Sequence, residues 1–373
     1  MSKFKPKEYQ SECVAKIQEA RNGGKSKALV VMAPGLGKTL TCAFDLQGYF
    51  TTHPDGHVLV LCHSEAILSQ TKNVFKSVFG DEYSYGMYNG KEKASRRSDF
   101  LFANLQSVNL HLEEFDPDGY DYVVVDEAHH APAETYKKAI EHFNPEFLLG
   151  MTATPDRMDG ADLEGIFGET VYERDIVDAV QNGWLSGVDY RLELDEIHNL
   201  DDFLEKNIIT LSQLNRELFI PKRDEEIIRL IRERSAERDN PTTVIFCQTV
   251  AHANHIAELM DDAVVIHSEL PKIEQTKRLK AFRDGEVMTV CAVNMLNEGI
   301  DIPRTDIIVF LRVTQSATVF LQQLGRGLRI AEGKGDVLVL DFVANAERLD
   351  QIFMLEKEFK KRKMASNIKA RNL

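Results

Sequence analysis

The stretch KALVVMAPGLGKT, residues 27–39, joins an apolar run to a glycine-rich loop. The run Lys27–Ala33 is almost continuously apolar, which is typical of a parallel strand covered on both faces. The loop keeps the end of the GxxxxGK[ST] phosphate-loop pattern, although Met32 stands where that pattern has its first glycine. A strand that passes through such a loop into a helix predicts an α/β unit with a phosphate site at the helix N-terminus.

The loop offers the groups that bind a polyphosphate. Gly35 and Gly37 allow backbone N–H groups to turn toward phosphate oxygens. Lys38 would reach the β- and γ-phosphates, and the Thr39 hydroxyl would hold Mg²⁺. The alternative is a glycine-rich turn that binds nothing.

A second motif, VVVDEAHH at residues 123–130, leads an apolar strand directly into two carboxylates. Asp126, at the carboxyl end of such a strand, suits Mg²⁺ coordination, and Glu127 can polarise an attacking water. His129 and His130 raise the alternative of a transition-metal site. Adjacent side chains of a regular element cannot both face one ion, so we favour the first interpretation.

A third motif, QQLGRGLR at residues 322–329, carries two arginines. Arg326 and Arg329 are three residues apart, which predicts that they share one helix face. Two guanidiniums on one face could clamp a phosphate during its transfer. The alternative is a solvated or ion-paired basic surface.

Apolar runs alternate with helical stretches along the rest of the chain. We expect strands at 27–33, 57–62, 120–126, 146–153, 242–247, 263–267, 288–293, 306–311 and 336–341, with helices between them. Strand, helix and strand in repetition predict an α/β fold built on parallel sheets.

The strand rhythm stops near the middle of the chain. We predict an N-terminal lobe over 1–185, a charged connection over 186–240 with an exposed helix at Asp224–Arg238, and a second lobe over 241–345. Residues 346–373 are expected to form a basic C-terminal helix or tail.

Composition limits the class of protein. The chain has 373 residues, 43% of them apolar, and 45 basic against 59 acidic residues give a net charge of −14. This charge weighs against nucleic-acid binding only weakly, because binding needs a local basic stripe. No apolar run approaches the ~18 residues that span a bilayer, and no signal peptide is visible, so we expect a cytoplasmic protein without membrane contact. Five cysteines without a CxxC pair predict neither a disulfide framework nor a zinc site: Cys13, Cys42, Cys62, Cys247 and Cys291.

The order of these motifs resembles that of the superfamily 2 helicases. The resemblance covers an adenine motif at Phe4–Gln10, motif I at Ala33–Thr39, Ia at Leu61–Gln70, Ib at Phe102–Ser107, II at Asp126–His129, III at Thr152–Thr154, IV at Val244–Gln248, V at Val293–Asp301 and VI at Gln322–Arg329. Motif II has the letters DEAH. HHAPAETY, LLGMTATPDRMDG and LNEGIDIP further resemble bacterial DEAH-box helicases related to the helicase subunits of type III restriction enzymes.

The resemblance implies two RecA-like lobes, each a mostly parallel sheet covered by helices, with ATP and Mg²⁺ in the cleft between them. It implies a set of residues that act in hydrolysis: Lys38, Asp126, Glu127, Arg326 and Arg329. It implies that the nucleotide is bound by Gln10, Gly35, Gly37, Thr39, Gly299 and Asp301, and that the metal is held by Thr39 and Asp126. The residues implied to contact nucleic acid, or to couple it to hydrolysis, are His129, Thr152, Thr154 and Gln322. Asn104 departs from the family pattern, which usually has Thr in motif Ib.

The function implied is that of an ATP-dependent DNA helicase or translocase, with DNA favoured over RNA and with a nuclease or modification subunit as partner. An RNA helicase and a non-hydrolysing ATP-binding scaffold are the alternatives. The scaffold predicts loss of Glu127 or of an arginine in motif VI, and neither is lost.

Overall fold

The computed structural model describes residues 4–153, 163–192, 221–260, 262–293, 295, 305–312, 323–331 and 333–342. The chain divides into two compact units, Met1–Ile176 and Val177–Leu373. Each unit is built on its own sheet, and every neighbouring pair of strands in both sheets is parallel. The predicted fold class is confirmed.

The first unit has a seven-stranded sheet covered by helices. Its strands are β1 Lys27–Met32, β2 Val58–Cys62, β3 Tyr85–Tyr88, β4 Phe100–Asn104, β5 Tyr122–Asp126, β6 Phe147–Thr152 and β7 Thr170–Arg174, in the order β3-β4-β2-β5-β6-β1-β7. Its helices are α1 Glu8–Asn22, α2 Lys38–Phe50, α3 Glu65–Phe79, α4 Leu105–Leu110, α5 Glu134–Glu141 and α6 Leu163–Phe167, and α7 Ile176–Gln181 leads into the second unit.

Burial on both faces explains the apolar runs of this sheet. All residues of β2 and β4 are buried, as are the five residues of β1 after Lys27. The helix α3 buries one stripe, because its apolar residues recur at helical spacing. In α3 that stripe includes Leu68 and Phe75, and the Ser64 hydroxyl accepts a hydrogen bond from the Ile67 N–H at the start of the helix.

The second unit has a six-stranded sheet. Its elements are β8 Val188–Leu192, α8 Pro221–Ser235, β9 Thr243–Phe246, α9 Val250–Leu259, β10 Ala263–His267, α10 Lys272–Arg283, β11 Thr289–Val293, β12 Ile307–Phe310 and β13 Val337–Asp341, and its strand order is β10-β11-β9-β12-β13-β8.

The expected connection over 186–240 is wrong where the structure describes it. The strand β8 pairs with β13 at the edge of the second sheet, and the buried Tyr190 hydroxyl donates a hydrogen bond to the Asp341 carboxylate. The helix α8 is not simply exposed, because Ile227 and Ile231 are buried in the core of this unit. Most residues of α8 are charged, so its overall composition predicts exposure although its isoleucines lie on one buried face.

Nine strands expected from the sequence are present, with ends that differ by one or two residues. Four others were not expected, namely β3, β4, β7 and β8. Three of them, β3, β7 and β8, include glycine or polar residues, so they lack the continuous apolar run that marks the central strands. The strand β4 does have such a run, Phe100–Ala103, and is fully buried. The expected tail at 346–373 lies outside the described residues. Among those described, no helix is long and apolar enough to cross a membrane.

Candidate functional site

Five strands of the first unit end at the same edge of its sheet, and the motifs follow these ends. The parallel order places the end of β5 between the ends of β2 and β6, with β1 beyond β6 and β4 beyond β2. Open parallel sheets bind ligands at the carboxyl ends of their strands. The residues at or just beyond these ends are the loop 33–37 after β1, His63 after β2, Asn104 at the end of β4, Asp126 at the end of β5 with Glu127 after it, and Thr152 at the end of β6.

The glycine loop after β1 has the backbone geometry of an anion site. Gly35 and Gly37 have φ angles of 92° and 82°, a region that favours glycine. Gly37 is also the N-cap of α2, so the first N–H groups of that 13-residue helix adjoin the loop. No acidic residue lies in the first turn of α2, where Lys38 and Thr39 are both partly exposed.

Gln10 connects the adenine motif to this loop. Its side chain is 4% exposed, its Nε2 donates to the Leu36 carbonyl over 3.1 Å, and its Oε1 accepts from the Lys7 N–H over 2.9 Å. A Cβ on Gly37 would lie 2.9 Å from Gln10 Nε2, so a larger residue there would displace the amide. The sequence predicted a role for Gln10, and the structure places its amide against the loop.

Glu127 has an uncommon backbone conformation directly after β5. Its φ and ψ are 53° and 51°, and its N–H donates to Asp126 Oδ1 over 2.9 Å. The Glu127 side chain is buried, and its Oε2 has no hydrogen-bond partner among the described residues, lying 3.5 Å from His129 Nδ1. A buried acceptor without a donor is costly, and such groups concentrate where a ligand or water is bound.

Desolvation at this edge raises the pKa of Asp126 to about 6. The neighbouring Glu127 carboxylate adds to this rise in pKa, and the Lys38 ammonium opposes it. In the sheet, only β6 separates β5, which ends at Asp126, from β1, whose loop leads to Lys38. Both are therefore placed where one polyphosphate and its cation could contact them.

His129 contacts the end of the neighbouring strand. Its Nδ1 lies 3.1 Å from the hydroxyl oxygen of Thr152, the last residue of β6, which is fully buried. Motifs II and III are thus joined by a side-chain hydrogen bond. The coupling role expected of both residues stays a prediction, and this contact supports it.

His130 connects His129 to His63 of motif Ia, a contact that was not predicted from the sequence. Its ring centroid lies 4.1 Å from that of His129 and 4.4 Å from that of His63. The His63 carbonyl accepts a hydrogen bond of 2.7 Å from Asn104 Nδ2, and Asn104 Oδ1 caps α4. Asn104 thus joins motifs Ia and Ib although it departs from the usual Thr. Pairing across strand ends is set by topology and is not visible along the sequence.

Motif VI lies in the second unit, and one expectation about it is wrong. The helix there ends at residue 327, so Arg329 does not share a helix face with Arg326. Arg329 instead forms an antiparallel bridge with Leu185, and the Leu328 carbonyl accepts from the Ser186 N–H over 2.7 Å. The two glycines of GRGLR explain the early end, since glycine disfavours helix interiors. Both arginines are partly exposed.

Four predicted residues lie outside the described residues: Thr154, Gly299, Asp301 and Gln322. Their roles stay predictions. The described part of motif VI is held by Lys334, whose Nζ donates to the Gly327 and Arg329 carbonyls. Burial lowers the pKa of Lys334 to about 8.

Two family models match this chain. Residues 3–157 match the model described as "Type III restriction enzyme, res subunit", and residues 222–331 match the "Helicase conserved C-terminal domain". One match falls within each of the two compact units.

Individual relatives agree with these matches. The chain is 30% identical over 93% of its length to the mitochondrial ATP-dependent helicase irc3 of Schizosaccharomyces pombe, and 24% identical over 90% to the type I restriction enzyme EcoAI endonuclease subunit of Escherichia coli. It spans 58% and 46% of these two proteins. A fragment of an HsdR subunit from Vibrio vulnificus YJ016 shares its fold, with a TM-score of 0.74 and 23% identity over 94% of this chain and 66% of that one.

Proposed function

We propose that the chain is an ATP-dependent DNA translocase or helicase of the DEAH-box group. The observation that carries the proposal is the arrangement along one sheet edge of a phosphate loop, two carboxylates and the contact between His129 and Thr152. A phosphate loop alone would serve nucleotide binding. The buried Glu127 carboxylate adds a means of activating water, and the His129 contact adds a route from the nucleotide to the neighbouring strand ends.

Nucleotide binding uses the loop and the start of α2. The N–H groups at this helix N-terminus and the Lys38 ammonium favour the negative charge of the β- and γ-phosphates. Gln10 fixes the loop through the Leu36 carbonyl. The second N–H of its amide remains for an acceptor such as an adenine ring nitrogen.

Mg²⁺ fits the oxygen donors at this edge. Thr39 and Asp126 would hold it through a hydroxyl and a carboxylate, the ligand types that this ion prefers. The raised pKa of Asp126 supports the assignment, because a carboxylate that is costly to ionise gains from a nearby cation. When bound, the ion neutralises charge on the phosphates.

Hydrolysis depends on Glu127. Its unpaired Oε2 can accept a hydrogen bond from a water and draw away the proton of that water as it attacks the γ-phosphate. Arg326 and Arg329 supply positive charge to the phosphate during its transfer, which makes them arginine fingers in the sense used for other phosphoryl-transfer enzymes. A non-hydrolysing scaffold would need neither group.

DNA is the nucleic acid that we infer. Similarity to subunits of type I and type III restriction enzymes favours DNA over RNA, and it favours a nuclease or modification subunit as partner. The strand would contact motifs Ia and Ib at the ends of β2 and β4. The His129–Thr152 contact and the ring contact of His130 with His63 would couple that strand to the nucleotide.

ATP turnover tests this function. It is measured without nucleic acid and with single-stranded DNA, duplex DNA and RNA, for the wild type, for Lys38→Ala and for a control variant, Lys27→Ala, at the exposed opposite end of β1. We expect DNA to stimulate turnover more than RNA does, and only Lys38→Ala to abolish it. Equal rates in all four conditions would refute a nucleic-acid motor, and stimulation by RNA alone would favour an RNA helicase.

A further inference from the structure

A short basic turn follows β3 at the same edge of the first sheet. The sequence KEKASRR at 91–97 lies within the first 185 residues, which hold 18 basic against 28 acidic residues, so this local excess of positive charge is unusual. We call the segment Asn89–Lys93 the basic turn. Lys91 and Lys93 are both exposed, and neither forms an ion pair within the described residues.

The basic turn has a fixed backbone. Asn89 Oδ1 accepts hydrogen bonds of 2.8 Å from the N–H groups of Lys91 and Glu92, and the Asn89 N–H donates to the Glu92 carbonyl over 2.8 Å. Lys93 forms an antiparallel bridge with Tyr88, the last residue of β3. The chain therefore returns along β3 and presents Lys91 at the tip.

One of the two cations is also held in place. The Lys93 ammonium lies 4.1 Å from the centre of the Tyr88 ring, whose residue is 1% exposed. This cation–π contact orders the lysine and leaves its charge exposed to solvent. A cation that is already ordered loses less side-chain entropy when it meets a phosphate.

The position of the turn relates it to motifs Ia and Ib. Because β3 is parallel to β4, with Tyr88 opposite Ala103, the turn begins next to the end of β4 that carries Asn104. A Cβ built on Gly90 would lie 3.9 Å from Glu65 Oε1, at the first residue of α3. The tip thus adjoins the segment that follows β2. Glu65 and Glu92 are the carboxylates beside it, and Arg96 is already paired with Glu114.

We propose that Lys91 and Lys93 of the basic turn bind the phosphate backbone of a DNA strand and so extend the strand path beyond motifs Ia and Ib. The inference rests on the proposed function, since it requires that DNA follow this edge of the sheet. Exposed ammonium groups on a backbone held by hydrogen bonds, one of them ordered by a ring, suit sequence-independent phosphate contacts.

The test is the salt dependence of affinity for a labelled single-stranded DNA. Each lost phosphate contact lowers the slope of log K against log salt by about 0.7 for a single strand, so Lys91→Gln with Lys93→Gln should lower its magnitude by about 1.4. The control is Lys25→Gln with Lys27→Gln, which has the same spacing and charge change, and which lies where β1 begins, at the opposite sheet edge. It should leave the slope unchanged.

A charge-retaining variant, Lys91→Arg with Lys93→Arg, should keep the slope of the wild type. An unchanged slope in the glutamine variant, or an equal reduction in the control, would overturn the inference while the wild type still binds DNA and hydrolyses ATP. A reduction seen with RNA of the same sequence but not with DNA would overturn the assignment to DNA. Wild-type protein that does not bind DNA would refute the proposed function itself, and the inference with it.

Discussion

The Glu127 carboxylate is buried, strained at its backbone and without a hydrogen-bond partner for Oε2 among the described residues. Glu127→Gln keeps this shape but cannot take a proton, so turnover should fall by about 10²–10⁴ while affinities for ATP and DNA stay near those of the wild type. Turnover at saturating ATP and nucleotide titration measure the two quantities. Glu134→Gln, an exposed control at the start of α5, should be unaffected. A near-wild-type rate for Glu127→Gln would place the base elsewhere.

Asp126 supplies a prediction in pH. Its pKa of about 6 in the folded protein exceeds the ordinary 3.8, so between these values the folded state binds more protons than the unfolded state. Stability from this group is therefore present at low pH and is lost as pH rises through 6. Asp126→Asn does not ionise, so in Mg²⁺-free protein its Tm relative to wild type should be higher at pH 7.5 than at pH 4.5. A Tm difference between Asp126→Asn and wild type that is the same at both pH values would contradict the assignment.

The two carboxylates show what the sequence predicts at this scale. Their type and place after an apolar strand were readable, because a buried parallel strand marks its own carboxyl end. The left-handed backbone of Glu127 and the ring contact between His130 and His63 were not. Both depend on neighbouring strands that are far apart in sequence.

At the scale of elements, α1 is tied to the phosphate loop by one side chain. Gln10→Ala removes the hydrogen bond to the Leu36 carbonyl, which contributes about 0.5–1.5 kcal/mol and corresponds to about a 2- to 13-fold rise in the KM for ATP. The preference for ATP over GTP should also fall if the free amide hydrogen reads adenine. Competition assays with both nucleotides measure this. Lys16→Ala, exposed on the same helix, is the control, and an equal effect of both variants would exclude the role.

Motif VI tests whether the second unit acts in hydrolysis. Arg326→Lys and Arg329→Lys keep the charge but lose the planar fork, so each should lose most DNA-stimulated turnover, on the order of 10³, with little change in ATP affinity. Because Arg329 lies beyond the short helix, the two losses need not be equal. Solvated arginines would contribute only about 0–1 kcal/mol. Retention of more than about half of wild-type turnover by both variants would contradict finger roles.

Elements differed in how far the sequence revealed them. The central strands were found because burial on both faces forces a continuous apolar run, whereas β8 and the polar edge strands lack that run. The sequence predicts the helix α8 but not the burial of Ile227 and Ile231, because most residues of this helix are charged. In motif VI the spacing of the arginines predicts one helix face, but the glycines at 325 and 327 favour an end of the helix before Arg329.

At the scale of the whole molecule, the alternation of strands and helices predicts the fold class. It does not predict where the first unit ends, which is Ile176 in the structure and 185 in the sequence expectation. The second unit begins at Val177. Within it, the strand β8 lies in the segment expected to be a connection and pairs with β13. The net charge of −14 describes only the whole chain, since residues 91–97 hold four basic residues and one acidic residue.

Translocation is the central claim, and displacement of streptavidin from biotinylated single-stranded DNA measures it directly. The label is placed at the 3′ end in one substrate and at the 5′ end in another. Wild-type protein with ATP should displace streptavidin from one of the two ends, and Glu127→Gln should displace it from neither. DNA-stimulated ATP hydrolysis by the wild type without displacement from either end would contradict the account.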